Sequence, residues 1–187
     1  TPLWQAPYSA GTDAGDAGGV DEIAATSDRI YVVAYRNQGG GTPVQTVLDA
    51  YPASGCGQAE CTPEWSAPLD GSFRRLMIGG DVVYATDDET LVALAADGCG
   101  AATCRPLASV PVAVGVVQHM VISAGRVLVV GWEADGSQTL AAFGGQLAQP
   151  RQAVDIRLFC RIGPRGIVHD HRIGARPVER QPEKRRG

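Results

Sequence analysis

Three stretches of the chain repeat one another, and this repetition limits the fold more than any other property of the sequence. Pro2-Leu3-Trp4 returns as Pro63-Glu64-Trp65 and, with the ring lost, as Pro106-Leu107-Ala108. Asp28-Arg29-Ile30-Tyr31-Val32 returns as Asp81-Val82-Val83-Tyr84-Ala85 and as Gly125-Arg126-Val127-Leu128-Val129. Val47-Leu48-Asp49-Ala50-Tyr51 is matched by Leu91-Val92-Ala93-Leu94-Ala95 and by Leu140-Ala141-Ala142-Phe143. Gly55-Cys56-Gly57 with Cys61 is matched by Gly98-Cys99-Gly100 with Cys104. The second and third units start 43 residues apart, at Pro63 and Pro106, and the first is lengthened around Asn37 to Thr46. A repeated unit of this size cannot bury its apolar face alone, so successive units must stack.

Within each unit the local signals are those of strands. Ile30-Tyr31-Val32-Val33-Ala34-Tyr35 is β-branched and aromatic, and Val82-Val83-Tyr84-Ala85 and Val127-Leu128-Val129-Val130 share that character. Between them lie Gly79-Gly80-Asp81, Asp87-Asp88-Glu89 and Asp135-Gly136-Ser137, residues that tolerate the positive φ of tight antiparallel turns. No long window carries helical periodicity. The expected class is therefore all-β: about three four-stranded antiparallel blades of a partial β-propeller, for which a period of about 40–45 residues is typical. Residues 1–146 form the repeat region and 147–187 an arginine-rich tail. The apolar stretch from Val110 to Trp132 is broken by Gln118, His119, Ser123 and Arg126. It reads as two strands, because a membrane helix needs ~20 mostly apolar residues.

Taken in order, the Pro-x-Trp start, the hydrophobic-Tyr-Val strand, the Leu-x-Ala strand and the Gly-Cys-Gly-x3-Cys loop resemble the PQQ-like, quinoprotein-type β-propeller repeat in its bacterial secreted form. The likeness covers residues 1 to about 146. The third unit departs from it, with Ala108 in place of Trp and Phe143-Gly144-Gly145 running on without the cysteine loop. Quinoprotein dehydrogenases of this fold bind pyrroloquinoline quinone (PQQ) and calcium at the mouth of a complete ring. Here there is no adjacent-cysteine pair and no matching charged cluster, so that cofactor belongs only to an alternative reading; fold alone does not carry activity.

Cys56, Cys61, Cys99 and Cys104 form two C-x4-C pairs at equivalent repeat positions. They read either as a four-thiolate metal site or as two local disulfides, each clasping one loop. Because the pairs fall in different blades, which hold equivalent loops apart, the disulfide reading is adopted. It implies an oxidising, extracytoplasmic compartment: secreted, periplasmic or cell-surface. Cys160 is left over and, with no partnered base nearby beyond His169 and His171, reads as a free thiol.

Trp4, Trp65, Tyr31 and Tyr84, with Trp132, are expected to wedge between adjacent sheets rather than to line a ligand groove. Asp13, Asp16, Asp21 and Glu22 lack the alternate spacing of a calcium loop and read as a solvated loop. Asp87-Asp88-Glu89 reads as a hairpin turn. His119 reads as a surface residue, and no nucleophile elbow, phosphate loop or HExxH motif is present. His169 and His171 could chelate a metal weakly in an extended chain. No catalytic and no metal-binding residue is assigned.

Charge divides the chain. Residues 1–150 hold six basic and sixteen acidic residues, a net of −10; residues 151–187 hold ten basic and four acidic ones, a net of +6. The acidic body should repel nucleic acid and anionic membranes. The tail reads as a basic arm or as an out-of-frame translation, since GC-rich codons yield Arg, Pro and Gly and the repeat pattern stops there. Opening on Thr1 without a signal peptide, the chain reads as a processed or partial form. The expected function is a non-catalytic extracytoplasmic scaffold or binding module contacting a protein or glycan through blade loops. The alternatives are a fragment of a PQQ-dependent dehydrogenase and a sensor ectodomain of a membrane receptor or kinase.

Overall fold

The computed structural model describes residues 3–8, 18–36, 45–144, 160–163 and 166–168. These residues form strands and turns, with no helix among them. The first sheet holds β1 (Gly19–Ala25), β2 (Arg29–Arg36), β3 (Gln45–Pro52) and β4 (Trp65–Leu69), in that spatial order. The second holds β5 (Arg75–Gly79), β6 (Val82–Thr86), β7 (Thr90–Ala95) and β8 (Ala108–Pro111), again in chain order. In the third, β9 (Val116–Ser123), β10 (Arg126–Trp132) and β11 (Gln138–Gly144) continue into β12 (Cys160–Gly163) and β13 (Gly166–Val168). Every neighbouring pair is antiparallel, as short hairpin connections require. The expected all-β arrangement of three antiparallel sheets is what forms, and none of the sheets closes into a barrel.

Residues alternate across each sheet, and the alternation explains the stacking. Tyr31, Val33, Leu48, Ala50, Trp65, Ala67 and Leu69 on one face of the first sheet form a dry cluster with Leu76, Val83, Ala85, Val92 and Leu94 of the second. The opposite face of the second sheet, through Val82, Tyr84, Leu91 and Ala93, meets Val117, Met120, Val127, Val129, Ala141 and Phe143 of the third. The first strands of successive sheets, β1, β5 and β9, adjoin one another. The sheets therefore stack like propeller blades, with their first strands converging and their fourth strands outermost.

Register places the repeat in three dimensions. Tyr31 lies opposite Ala50, Tyr84 opposite Ala93 and Leu128 opposite Ala142. Tyr31 and Tyr84 thus hold one position in successive sheets, and Leu128 holds it in the third. The two-residue turn between β9 and β10 puts Ala124 at φ 49° and Gly125 at φ 70°, the left-handed geometry such hairpins need.

Of the tail, expected to be an irregular basic arm, the described residues are β12 and β13. β12 pairs along Gln138–Leu140 of β11, so the third sheet gains a fourth strand from beyond the repeat region. The physical reason is that β11 offers an open backbone edge, and any extended segment can add to one whatever its side chains. The rest of the tail, including His169 and His171, lies outside the described residues, as do Asp13, Asp16 and most of the insertion from Asn37.

Candidate functional site

The features most specific to this chain are the two cysteine loops, and each proves to be half of a junction with a Trp-bearing segment, β4 for one and residues 3–8 for the other. Cys99 and Cys104 are joined in a disulfide with their Cα atoms 5.6 Å apart; Cys56 and Cys61 are joined likewise at 5.7 Å. Pairing within each loop excludes the four-thiolate alternative. Among the described residues no three His, Cys, Asp or Glu side chains are grouped to hold a metal ion.

The second-sheet loop receives β4 of the first. Ser66 N donates to Ala102 O at 2.9 Å, and Cys104 N donates to Ser66 O at 2.8 Å. These two bonds make a short parallel bridge across the sheet boundary. Immediately before it, the Trp65 indole lies flat on Gly98, where a Cβ would stand 2.6 Å from Trp65 Cδ1. Gly98 has φ +84°, so both the turn and the ring exclude a side chain there. Trp65 is buried, 6.1 Å from the Tyr31 ring between centroids, and its Nε1 has no hydrogen-bond partner. Tyr31 sends its hydroxyl across the same boundary to Ala96 O at 2.8 Å.

The first-sheet loop repeats this junction with the segment at residues 3–8. Gln5 N donates to Ala59 O at 2.9 Å, Cys61 N donates to Gln5 O at 2.8 Å, and a Cβ on Gly55 (φ +82°) would stand 2.6 Å from Trp4 Cδ1. Trp4 stacks on Tyr51 at 5.9 Å, and Trp4, Ala6 and Tyr8 cover Val32, Ala34 and Val47. Residues 3–8, held by one isolated bridge, therefore take in this junction the place that β4 takes in the other. The signal was in the sequence, since Pro2-Leu3-Trp4-Gln5-Ala6-Pro7 and Pro63-Glu64-Trp65-Ser66-Ala67-Pro68 share Pro-x-Trp-x-Ala-Pro. In the third unit the Trp position is Ala108 and no cysteine loop follows β11 directly, so the ring and its receiving loop are missing together.

The remaining expected residues fall as follows. Trp65, Tyr31 and Tyr84 lie buried between sheets, and Trp4 is half-buried against the first. Trp132, expected in the same packing role, is 43 % exposed at the open face of the third sheet, because none of the described sheets covers that face. Asp21 and Glu22 lie on β1 rather than in a loop. Asp87 caps the β6–β7 turn, its Oδ1 accepting from Glu89 N at 2.8 Å and Thr90 N at 2.6 Å. His119 is exposed on β9, opposite Val130. Cys160 sits on β12 opposite Leu140.

Burial raises the ionisation of the Tyr31 and Tyr84 phenols above the usual tyrosine range. Arg29 is held charged by its hydrogen bond to Glu64 at 2.9 Å. The Thr26 hydroxyl donates to Asp28 at 2.7 Å and is the main cause of that carboxyl's lowered pKa.

Between β4 and the stretch from the second cysteine loop into β8 runs an open groove of 660 Å³. Pro68, Pro106, Leu107 and Ala108 give it apolar walls, and Asp70 and Arg105 add a charge of each sign. Leu107 is 47 % exposed there. The disulfide fixes one wall by closing the loop from which Arg105 and Pro106 emerge. No helix of the described residues is long and apolar enough to cross a membrane. Compared with known proteins, the chain matches no family model and no curated protein.

Proposed function

We propose that this chain is a non-catalytic, extracytoplasmic binding scaffold of PQQ-like propeller type that contacts a protein or glycan through its blade-rim loops. The observation that carries this reading is the rim groove at Pro68, Arg105 and Leu107, one wall of which is stiffened by the Cys99–Cys104 loop. An open trough with apolar walls and a few polar groups suits a sugar ring or an extended peptide better than an enclosed small molecule. Disulfides survive where the surroundings are oxidising, which supports a place outside the cytoplasm.

The test is a binding screen of the oxidised chain against surface polysaccharides and purified envelope proteins, run beside Leu107→Arg. A ligand bound by the native chain and lost in the variant supports the reading. No ligand on either set, or binding indifferent to Leu107, refutes it. Adding PQQ and calcium and following dye reduction with alcohols or sugars should give a flat trace; turnover would install the dehydrogenase alternative instead.

A further inference from the structure

We propose a second binding site, for one neutral sugar unit, at the end of the sheets opposite the cysteine loops, with Ser72, Arg74, Asp87 and Asp88 as its polar groups. It shares no lining residue with the groove at Leu107 and does not depend on that groove. Topology brings three segments together here. The link from β4 to β5 supplies Ser72 and Arg74, the β6–β7 turn supplies Asp87 and Asp88, and the start of β9 supplies Val117 and Gln118. Two clefts open among them, of 140 Å³ and 290 Å³, and the four polar residues line both. Pockets for drug-sized ligands begin at about 300 Å³, so the place suits a single ring rather than a chain.

The walls are set before anything binds. Asp87 Oδ1 accepts from two backbone N–H groups of its own turn. Asp88 Oδ1 accepts from Val117 N at 2.9 Å, and Arg75 Nε donates to Gln118 O at 3.0 Å. Two bonds between the second and third sheets thus frame the smaller cleft. Each aspartate has one oxygen held by the fold and the other without a partner among the described residues. The remaining oxygen of Asp87 stands over Gly71, at φ +136°, where a Cβ would collide with it. Glycine there leaves that oxygen its room. Arg74 is exposed, and its guanidinium has no hydrogen-bond or ion-pair partner among the described residues.

The balance of charge selects the ligand. An anion would meet Asp87, Asp88 and Glu89, and an ammonium group would meet Arg74. A metal ion lacks its ligands, since among the described residues no three His, Cys, Asp or Glu side chains are grouped to hold one. Hydroxyl groups both donate and accept. Neighbouring hydroxyls of a sugar can therefore give to the carboxylates and take from the fork of Arg74. Walls fixed in advance lower the cost of ordering on binding.

An NMR titration of the full oxidised, isotope-labelled chain tests this. The probes are the methyl glycosides of glucose, galactose and mannose, with glucuronate and glucosamine as anionic and cationic counterparts. At least one neutral glycoside should shift the backbone amide signals of Ser72, Asp88 and Val117. Arg74→Ala should weaken that binding roughly tenfold or more. It should leave the melting temperature unchanged, because the side chain makes no bond in the fold. Leu107→Arg should leave the binding as it is. No neutral glycoside moving those amides, binding that survives Arg74→Ala, or tighter binding of either charged sugar overturns the inference. Binding lost in Leu107→Arg and kept in Arg74→Ala also overturns it and assigns the sugar to the rim groove, so the two sites fail separately.

Discussion

Replacing Trp65 by Ala should show how strongly the sheets depend on their junctions. The ring is 3 % exposed, fills the wedge between the first and second sheets, and lies in van der Waals contact with Gly98 and near Tyr31. Emptying a site of this kind typically costs about 3–5 kcal/mol. For a domain of this size each kcal/mol moves the midpoint by about 2–4 °C, so Trp65→Ala should melt roughly 6–20 °C lower. The indole N–H is buried without a partner, which is itself unfavourable. Trp65→Phe removes that donor while keeping most of the volume and should therefore cost less than half as much as Ala. Trp4→Ala, at the half-buried equivalent, should also cost less. Urea melts followed by far-UV circular dichroism, which does not depend on the deleted fluorophore, give the three values. A loss below about 1 kcal/mol for Trp65→Ala, the range of ordinary surface changes, would refute the wedge.

Two further outcomes follow from the same geometry. Changing Cys99 and Cys104 together to Ser opens a six-residue loop and should cost about 2 kcal/mol without unfolding the chain; a cost near zero by thermal melting would mean that the loop holds its shape unaided. The burial-raised Tyr31 phenol stabilises the fold fully below the ordinary tyrosine value, and that contribution is lost as pH rises from about 10 through the higher folded value. Tyr31→Phe should therefore flatten the fall in stability above about pH 10. An unchanged alkaline slope in melts of the variant would show that this phenol does not drive it.

Much of the architecture was legible because a blade announces itself several times. Each strand pattern is weak alone, but Asp28–Val32, Asp81–Ala85 and Gly125–Val129 share spacing, turn residues and apolar alternation, and the three become β2, β6 and β10 of equivalent sheets. The cysteine spacing left a metal site open, and it was the placement of the two pairs in different repeat units that pointed to local pairing. What the sequence did not reveal was partnership across sheets. That Gly55 and Gly98 are seats for Trp4 and Trp65 depends on segments 51 and 33 residues removed, and no local pattern encodes which loop meets which ring. Trp132 shows the converse: its composition suits a core, but exposure is decided by whether another sheet is present. The segment Asp155 to Ile162 is compatible with a short helix or strand, but its pairing with β11 as β12 is not legible, because backbone pairing to an open edge asks little of the side chains.

The missing third junction sharpens the meaning of the two that exist. Ala108 in place of Trp and the lack of a Gly-Cys-Gly-x3-Cys motif after β11 are separate departures in sequence, yet by the repeat they correspond to the two halves of one contact. A Trp with no glycine seat would be an exposed ring, and a cysteine loop with no strand to grip would be an idle constraint. Between the second and third sheets other bonds carry the load: Arg75 Nε donates to Gln118 O at 3.0 Å, and Val117 N donates to Asp88 Oδ1 at 2.9 Å. Those bonds sit toward the first strands, whereas the Trp junctions sit at the fourth. Among the described residues, the outer part of the stack is therefore clasped by a Trp junction between the first and second sheets, and no equivalent Trp junction joins the second to the third. The rim groove lies along the clasped boundary, where its walls are held in register by backbone bonds and a disulfide rather than by side-chain packing alone.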